Sequence, residues 1–231
     1  VPIFQPSKHP RFGFYAEELY KMRQRKGVML AEAERLISDP YYFAAMAVHT
    51  GDAHGLVSGA IQNYADCVKP ILQIIGTDEH GLASGLNIVL FKEKMYFFSD
   101  TTINIEPSAE EIARIAIHAA NIAQYFNQTP KVAMLSFSNF TGRTDSAVKM
   151  KKAVKLIKDL QPNLIVDGEM QADTAVNGKI AERIFPFCEI KGGANVLVFP
   201  NLDSGNISYK LVQQLGGGEV MKLTRSQLED L

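Results

Sequence analysis

Lys131-Val-Ala-Met-Leu-Ser-Phe-Ser-Asn139 and, further on, Ile165-Val-Asp-Gly-Glu-Met-Gln-Ala-Asp173 decide the fold. Each is a short, β-prone apolar run that stops abruptly in small, polar or acidic residues. A buried parallel strand whose carboxyl end opens into a crevice has this pattern. Ligands of open α/β sheets sit in that crevice. The chain is therefore expected to hold a small anionic molecule.

Around these two runs the pattern is β-α alternation. Strands are expected at Val132–Ser136, Leu164–Asp167 and Val196–Phe199, and helices at Ser146–Leu160 and Asp203–Leu215, the last closed by Gly216-Gly-Gly218. Alternation on this scale implies a parallel sheet with helices on its faces. Upstream, residues 11–38 read as two helices, the first with an apolar stripe of Phe14, Leu19 and Met22 and a break at Gly27. Asp39-Pro40 ends the second, because the residue before proline avoids the helical region. A further helix spans Tyr41–His49, a short strand Leu56–Gly59, and a helix Ala65–Ile75 interrupted near Pro70. Gly85–Phe91 and Met95–Ser99 flank Lys92-Glu-Lys94 as a β-hairpin. Ser108-Ala-Glu-Glu111 has capping-box spacing and opens a helix that Asn127-Gln-Thr-Pro130 ends. That segment is the candidate boundary. The expectation is an α/β fold of two α/β subdomains, 1–128 and 129–231, with mostly parallel sheets flanked by helices.

The bulk numbers narrow the function. With 231 residues and 46% apolar content the chain can bury real cores. A net charge of -1 gives no bulk attraction for nucleic acid or an anionic membrane. The five histidines contain no close ligand pair, so no metal site is expected. Cys67 and Cys188, far apart in sequence, suit a reducing cytoplasm. No apolar run approaches the roughly 18 residues of a membrane helix. The Val-Pro-Ile start, without a signal-peptide pattern, reads as an intracellular piece of a longer protein.

Several constellations can carry chemistry. Ser136-Phe-Ser-Asn-Phe-Thr-Gly142 lies between a strand and a helix, where hydroxyls, an amide and backbone N–H groups, Ser136, Ser138, Asn139 and Gly142 among them, can donate to phosphate oxygens. The alternative is a set of turn formers and a helix cap. Lys149, Lys151, Lys152, Lys155 and Lys158 share one helix face, which either meets a polyanion or is simply solvated. Asp167, Glu169 and Asp173 at a strand end can act as a base, bind Mg²⁺, or be ordinary polar strand-end residues. Gly55-Leu-Val-Ser-Gly59, followed by Asn63, Tyr64 and Lys69, is another strand-turn-helix with a cation, either reaching an anion or exposed. The common phosphate loop, the dinucleotide fingerprint and the nucleophile elbow are all missing.

Together these segments resemble the phosphate acetyltransferase (phosphotransacetylase) family. The likeness runs through Gly51-Asp-Ala-His-Gly-Leu-Val-Ser-Gly-Ala60, Val68-Lys-Pro-Ile-Leu-Gln-Ile-Ile75, Lys131–Ser138, Val166-Asp-Gly-Glu-Met-Gln171 and Ala194-Asn-Val-Leu-Val-Phe-Pro-Asn-Leu-Asp203. It ends in Gly205-Asn-Ile-Ser-Tyr-Lys-Leu211 and Gly216-Gly217. The resemblance implies a ligand cleft between the two subdomains, with Ser58, Gly59, Asn63, Tyr64, Lys69, Ser136, Ser138, Asn139, Gly142 and Asp167 as ligand-binding residues. Met22-Arg-Gln-Arg-Lys-Gly-Val28, Tyr42-Phe-Ala-Ala-Met46, Phe98-Ser-Asp-Thr-Thr-Ile-Asn104 and Ser136-Phe-Ser-Asn-Phe140 look like a fused branch, the carboxy-terminal domain of large bacterial malic enzymes. Active members place Thr and Arg where this chain has Tyr64 and Lys69, and Lys lacks the bidentate fork of Arg. They also carry a Ser-Arg-Gly segment, followed by an Asp, that is not recognisable here.

The resemblance thus implies a regulatory domain with no catalytic residues and no cofactor of its own, binding acetyl-CoA or a related acyl-CoA as effector. The NADP and Mg²⁺ or Mn²⁺ sites would belong to an N-terminal malic enzyme domain of the same cytoplasmic, homo-oligomeric protein. The alternatives are an active phosphate acetyltransferase, converting acetyl phosphate and CoA into acetyl-CoA and phosphate, and a pure assembly module.

Overall fold

The structure is a computed structural model that describes residues 3–58, 63–77, 81–217 and 219–224. It divides into two compact units between Leu82 and Ala83.

The first unit is built from α1 (Phe12–Arg23), α2 (Leu30–Ile37), α3 (Pro40–His49) and α4 (Tyr64–Ile74). Gly27, at φ 87°, closes the turn after α1 in the left-handed region that glycine enters without penalty. Asp39 has a second role besides ending α2. Its side chain accepts from the Tyr41 N–H and caps α3, with Pro40 in the first helical position. The core contains Tyr15, Ala16, Leu19, Ala33, Ile37, Tyr42, Met46 and Ile74. The stripe of α1 is rotated from the expected one: Tyr15 and Ala16 point inward with Leu19, while Phe14 is exposed and lies under the Arg11 guanidinium. Leu56–Ser58 form no strand, and Gly59 lies outside the described residues.

The second unit holds a six-stranded sheet in the order β4-β3-β5-β2-β1-β6. Its strands are β1 (Gly85–Phe91), β2 (Lys94–Ser99), β3 (Lys131–Leu135), β4 (Ile165–Met170), β5 (Val196–Val198) and β6 (Glu219–Thr224). β4, β3, β5 and β2 run parallel, whereas β1 is antiparallel to both β2 and β6. The expected hairpin is present. Its two-residue turn places Lys92 and Glu93 at φ 48° and 66°, the geometry that matches strand twist.

These facts confirm an α/β fold with a mixed sheet flanked by helices, and they correct its division. The hairpin pairs through β2 with β5, in the same sheet as β3, so no boundary falls at 128/129. Asn127, at φ 57°, ends a helix within the second unit. That helix, α5 (Ala109–Tyr125), carries the capping box in full, with Ser108 accepting from the Glu111 N–H and Glu111 accepting from the Ser108 N–H. It packs with α6 (Asp145–Leu160) against β2, β3, β4 and β5. On the opposite face, α7 (Ala172–Val176) and α9 (Leu202–Gly216) put Ala175 and Tyr209 into a core with Val89, Phe98, Leu135, Met170, Leu197 and Phe199. The short α8 (Gly178–Ile184) follows α7. No described helix is long and apolar enough to cross a membrane.

Candidate active site at the carboxyl edge of the sheet

Strand polarity brings the ends of β2, β3, β4 and β5 to one edge of the sheet. The chain leaves β3 toward the α5/α6 face, whereas its neighbours β4 and β5 lead to α7 and α9 on the other face. Adjacent connections therefore diverge on both sides of β3. Such divergence opens a crevice at the carboxyl end of a parallel sheet. Ser136–Gly142 lies at this place.

The loop is fixed by its surroundings. Ser136 donates its backbone N–H to the Met170 carbonyl, and Phe140 donates to the Glu169 carbonyl, each at 2.8 Å. Glu169 has no partner on β3, because Gly168 pairs with Met134 and Met170 with Leu135. This bulge aims its side chain into the loop. Glu169 Oε1 accepts from Ser138 Oγ at 3.0 Å and from the Gly142 N–H at 2.8 Å. Lys151 Nζ, from α6, donates to the Gly142 carbonyl at 2.9 Å and lies 3.5 Å from Glu169 Oε2. Ser136 Oγ is 3.5 Å from Ser138 Oγ and half-buried. Phe140, at φ 59°, is a bulky residue in the left-handed region, held with its ring against Phe185 and Phe187. Strain of this kind persists where surrounding structure enforces it, and it clusters at functional sites.

The expected site residues fall into distinct groups. Ser136, Ser138 and Gly142 share the loop. Asn139 lies beside them, but both ends of its amide are bonded to Gln171, whose own amide N–H donates to the Phe137 carbonyl. It is a clamp on the loop. Asp167 accepts from the N–H groups of Gly168 and Glu189, at 2.9 and 2.8 Å, so both of its oxygens serve the backbone. Asp173 bonds the Thr174 N–H. The three carboxylates thus have separate structural tasks. Among the described residues no group of His, Cys, Asp and Glu is placed to hold a metal ion.

In the first unit Ser58 is half-buried, while Asn63 and Lys69 are exposed at the start and middle of α4. Gly59 and the Tyr64 side chain lie outside the described residues. The lysine face of α6 is tied to acids: Lys149 to Glu106, Lys152 to Glu110 and Lys158 to Glu189. Those pairings remove the motive for a polyanion surface. Burial, the largest cause, pushes the Cys188 thiol up, and Asp167 beside it adds to the rise. A thiol held protonated in this way is a poor nucleophile.

Two contributors escaped the sequence reading. Gln171 was passed over, and Lys151 was counted with a solvated face. Both are placed by nonlocal structure: Gln171 follows β4 at the bulge, and Lys151 on α6 reaches Glu169 and the Gly142 carbonyl.

Fold and site define an α/β protein with a hydroxyl-bearing loop, Ser136–Gly142, at the carboxyl edge of its parallel strands. The chain belongs to the phosphate acetyl/butaryl transferase family, whose model matches residues 1–221. It is 46% identical over 204 residues to the phosphate acetyltransferase of Bacillus subtilis, an alignment covering 87% of this chain and 63% of that protein. To the phosphate acetyltransferase of Nitratidesulfovibrio vulgaris it is 35% identical over 237 residues, which is 100% of this chain and 34% of the relative. The chain thus spans less than two thirds of the length of these relatives. Among solved structures, a phosphotransacetylase from Streptococcus pyogenes superposes with a TM-score of 0.88 at 37% identity, over 96% of this chain and 69% of that one.

These findings overturn the expectation of a regulatory malic enzyme domain. The relatives are named for acetyl transfer, and none of these comparisons shows a malic enzyme fusion. Tyr64, Lys69, the unrecognised Ser-Arg-Gly segment and the four stretches that look like the fused branch do not outweigh a family match over residues 1–221.

Proposed function

We propose that the chain carries out acyl exchange between phosphate and a thiol, with acetyl phosphate and CoA as substrates and acetyl-CoA and phosphate as products. The thiol sulfur attacks the acetyl carbonyl carbon, a C–S bond forms, and the C–O bond to the phosphoryl oxygen breaks. Phosphate departs with that electron pair, and the thiol proton passes to a base or to solvent. Such a reaction asks mainly for positioning and for charge stabilisation on the phosphate and the developing oxyanion.

The observation that carries this reading is the Ser136–Gly142 loop at the divergence point beside β3, in a chain whose relatives are named phosphate acetyltransferases. Ser136 Oγ and Ser138 Oγ are the hydroxyls offered to a phosphoryl or carbonyl oxygen. Arg143, exposed just beyond Gly142, brings a guanidinium fork suited to phosphate. Ser58, Gly59, Asn63, Tyr64 and Lys69 are proposed as ligand-binding residues of the first unit, with Lys69 acting as a point charge. Asn139 and Asp167 support the site through the backbone.

The test is a turnover assay with acetyl phosphate and CoA, following thioester formation. Turnover is expected, and Ser136→Ala should lower kcat/KM by about a hundredfold, the scale of losing one stabilising donor. Thioester formation no faster than without protein would overturn the proposal.

A further inference from the structure

Lys151 and Glu169 stand apart from the other charged groups of α6 and β4. Lys149, Lys152 and Lys158 reach surface acids. Lys151 instead turns to a carboxylate with 0% exposure. The two grip one residue from both sides, Glu169 Oε1 taking the Gly142 N–H at 2.8 Å and Lys151 Nζ donating to the Gly142 carbonyl at 2.9 Å. The same Oε1 takes the Ser138 hydroxyl proton at 3.0 Å, which leaves the Ser138 lone pairs facing Ser136 Oγ, 3.5 Å away. Glu169 Oε2 makes no hydrogen bond and faces the Lys151 ammonium. A carboxylate with 0% exposure makes no direct contact with a substrate and acts on the loop through Ser138 and Gly142. Its charge, balanced by Lys151, is available only to orient the loop.

We propose that Glu169 and Lys151 are positioning residues, a charge-paired clamp on Gly142 that sets the direction of the Ser136 and Ser138 hydroxyls toward the acyl phosphate. The inference rests on the proposed acyl transfer at this loop. A carboxylate in this place fixes the hydroxyl of Ser138 as a donor inward and an acceptor outward. That orients Ser136 Oγ–H away from the protein or toward Ser138 in a defined geometry. Loss of the pair frees Gly142 and misplaces both hydroxyls, and misplacement on the ångström scale costs up to about a hundredfold in rate.

The test compares Lys151→Met, Lys151→Arg and Glu169→Gln in the whole chain by steady-state kinetics, thermal melting and amide hydrogen exchange. Lys151→Met is expected to raise KM for acetyl phosphate about tenfold or more, to leave KM for CoA within about twofold, and to melt close to the parent. Lys151→Arg should restore most of the loss. Exchange at the Phe140 and Gly142 amides should quicken in Lys151→Met, with α5 unchanged. Unaltered kinetics, or parallel changes in both KM values that Arg does not rescue, would overturn the inference. Should the parent chain show no turnover, the proposed function fails by itself, and the clamp then stands or falls on the exchange at Phe140 and Gly142. If Lys151→Met does not fold, Glu169→Gln carries the same readouts.

Discussion

Gly142 shows how little room the loop leaves. A Cβ there would lie 2.3 Å from Ser138 Oγ and 2.5 Å from the Ala147 Cβ, with Glu169 Oε1 at 3.0 Å. Gly142→Ala therefore forces the loop off Glu169. We expect a loss of about 1–3 kcal/mol in urea unfolding, the cost of overpacking, together with a fall in acetyl transfer. Unchanged stability would mean that the loop relaxes freely. A second residue-level test is Asp52, which binds Arg11 at 2.6 and 2.8 Å and accepts from Tyr15 and Thr50 hydroxyls. The Arg11 bond, followed by that of Tyr15, holds its carboxyl below the usual range. A depressed folded-state value stabilises above the unfolded carboxyl's pKa of about 3.9, and that contribution disappears as pH falls through the folded value. Asp52→Asn should accordingly lower the melting temperature at neutral pH, and the gap from the parent should close as pH falls through the depressed folded value. A gap independent of pH would contradict this. At this scale the place of Ser136 and Ser138 just beyond the end of β3 was legible, because the apolar run and its polar stop sufficed. Asp167 was not, since the Glu189 N–H that occupies it lies 22 residues away.

Among elements, the hairpin of β1 and β2 holds two non-glycine residues, Lys92 and Glu93, in the left-handed region. Each costs about 1 kcal/mol relative to a residue suited to positive φ. Lys92→Asn with Glu93→Gly should raise stability by about 1 kcal/mol or more in urea unfolding, and no gain would show that the pair is supported elsewhere. Elements with local signals were legible: the capping box of α5, Pro40 opening α3, and the two runs that became β3 and β4. Those lacking such signals were not. The α7 helix has only five residues, and β6 is specified by antiparallel pairing with β1. Leu56–Ser58 had strand-like composition but take up no ladder.

For the whole molecule, alternation announced an α/β protein but not how many sheets it would make. A turn such as Asn127–Pro130 reads the same whether it separates domains or joins a helix to the next strand of one sheet. The sheet resolves this by pairing β2 with β5 across nearly a hundred residues of chain. Function followed a similar course: Tyr64, Lys69 and the unrecognised Ser-Arg-Gly segment suggested a silent domain, whereas the family match over residues 1–221 is to phosphate acetyl/butaryl transferases. Supplying acetyl-CoA as acyl donor with inorganic phosphate and watching by phosphorus NMR tests acyl exchange in the direction that forms acetyl phosphate. A new acetyl phosphate resonance that grows with protein concentration and weakens in Ser136→Ala is the expected result. A spectrum in which no acetyl phosphate resonance appears beside inorganic phosphate and the CoA phosphates would contradict it.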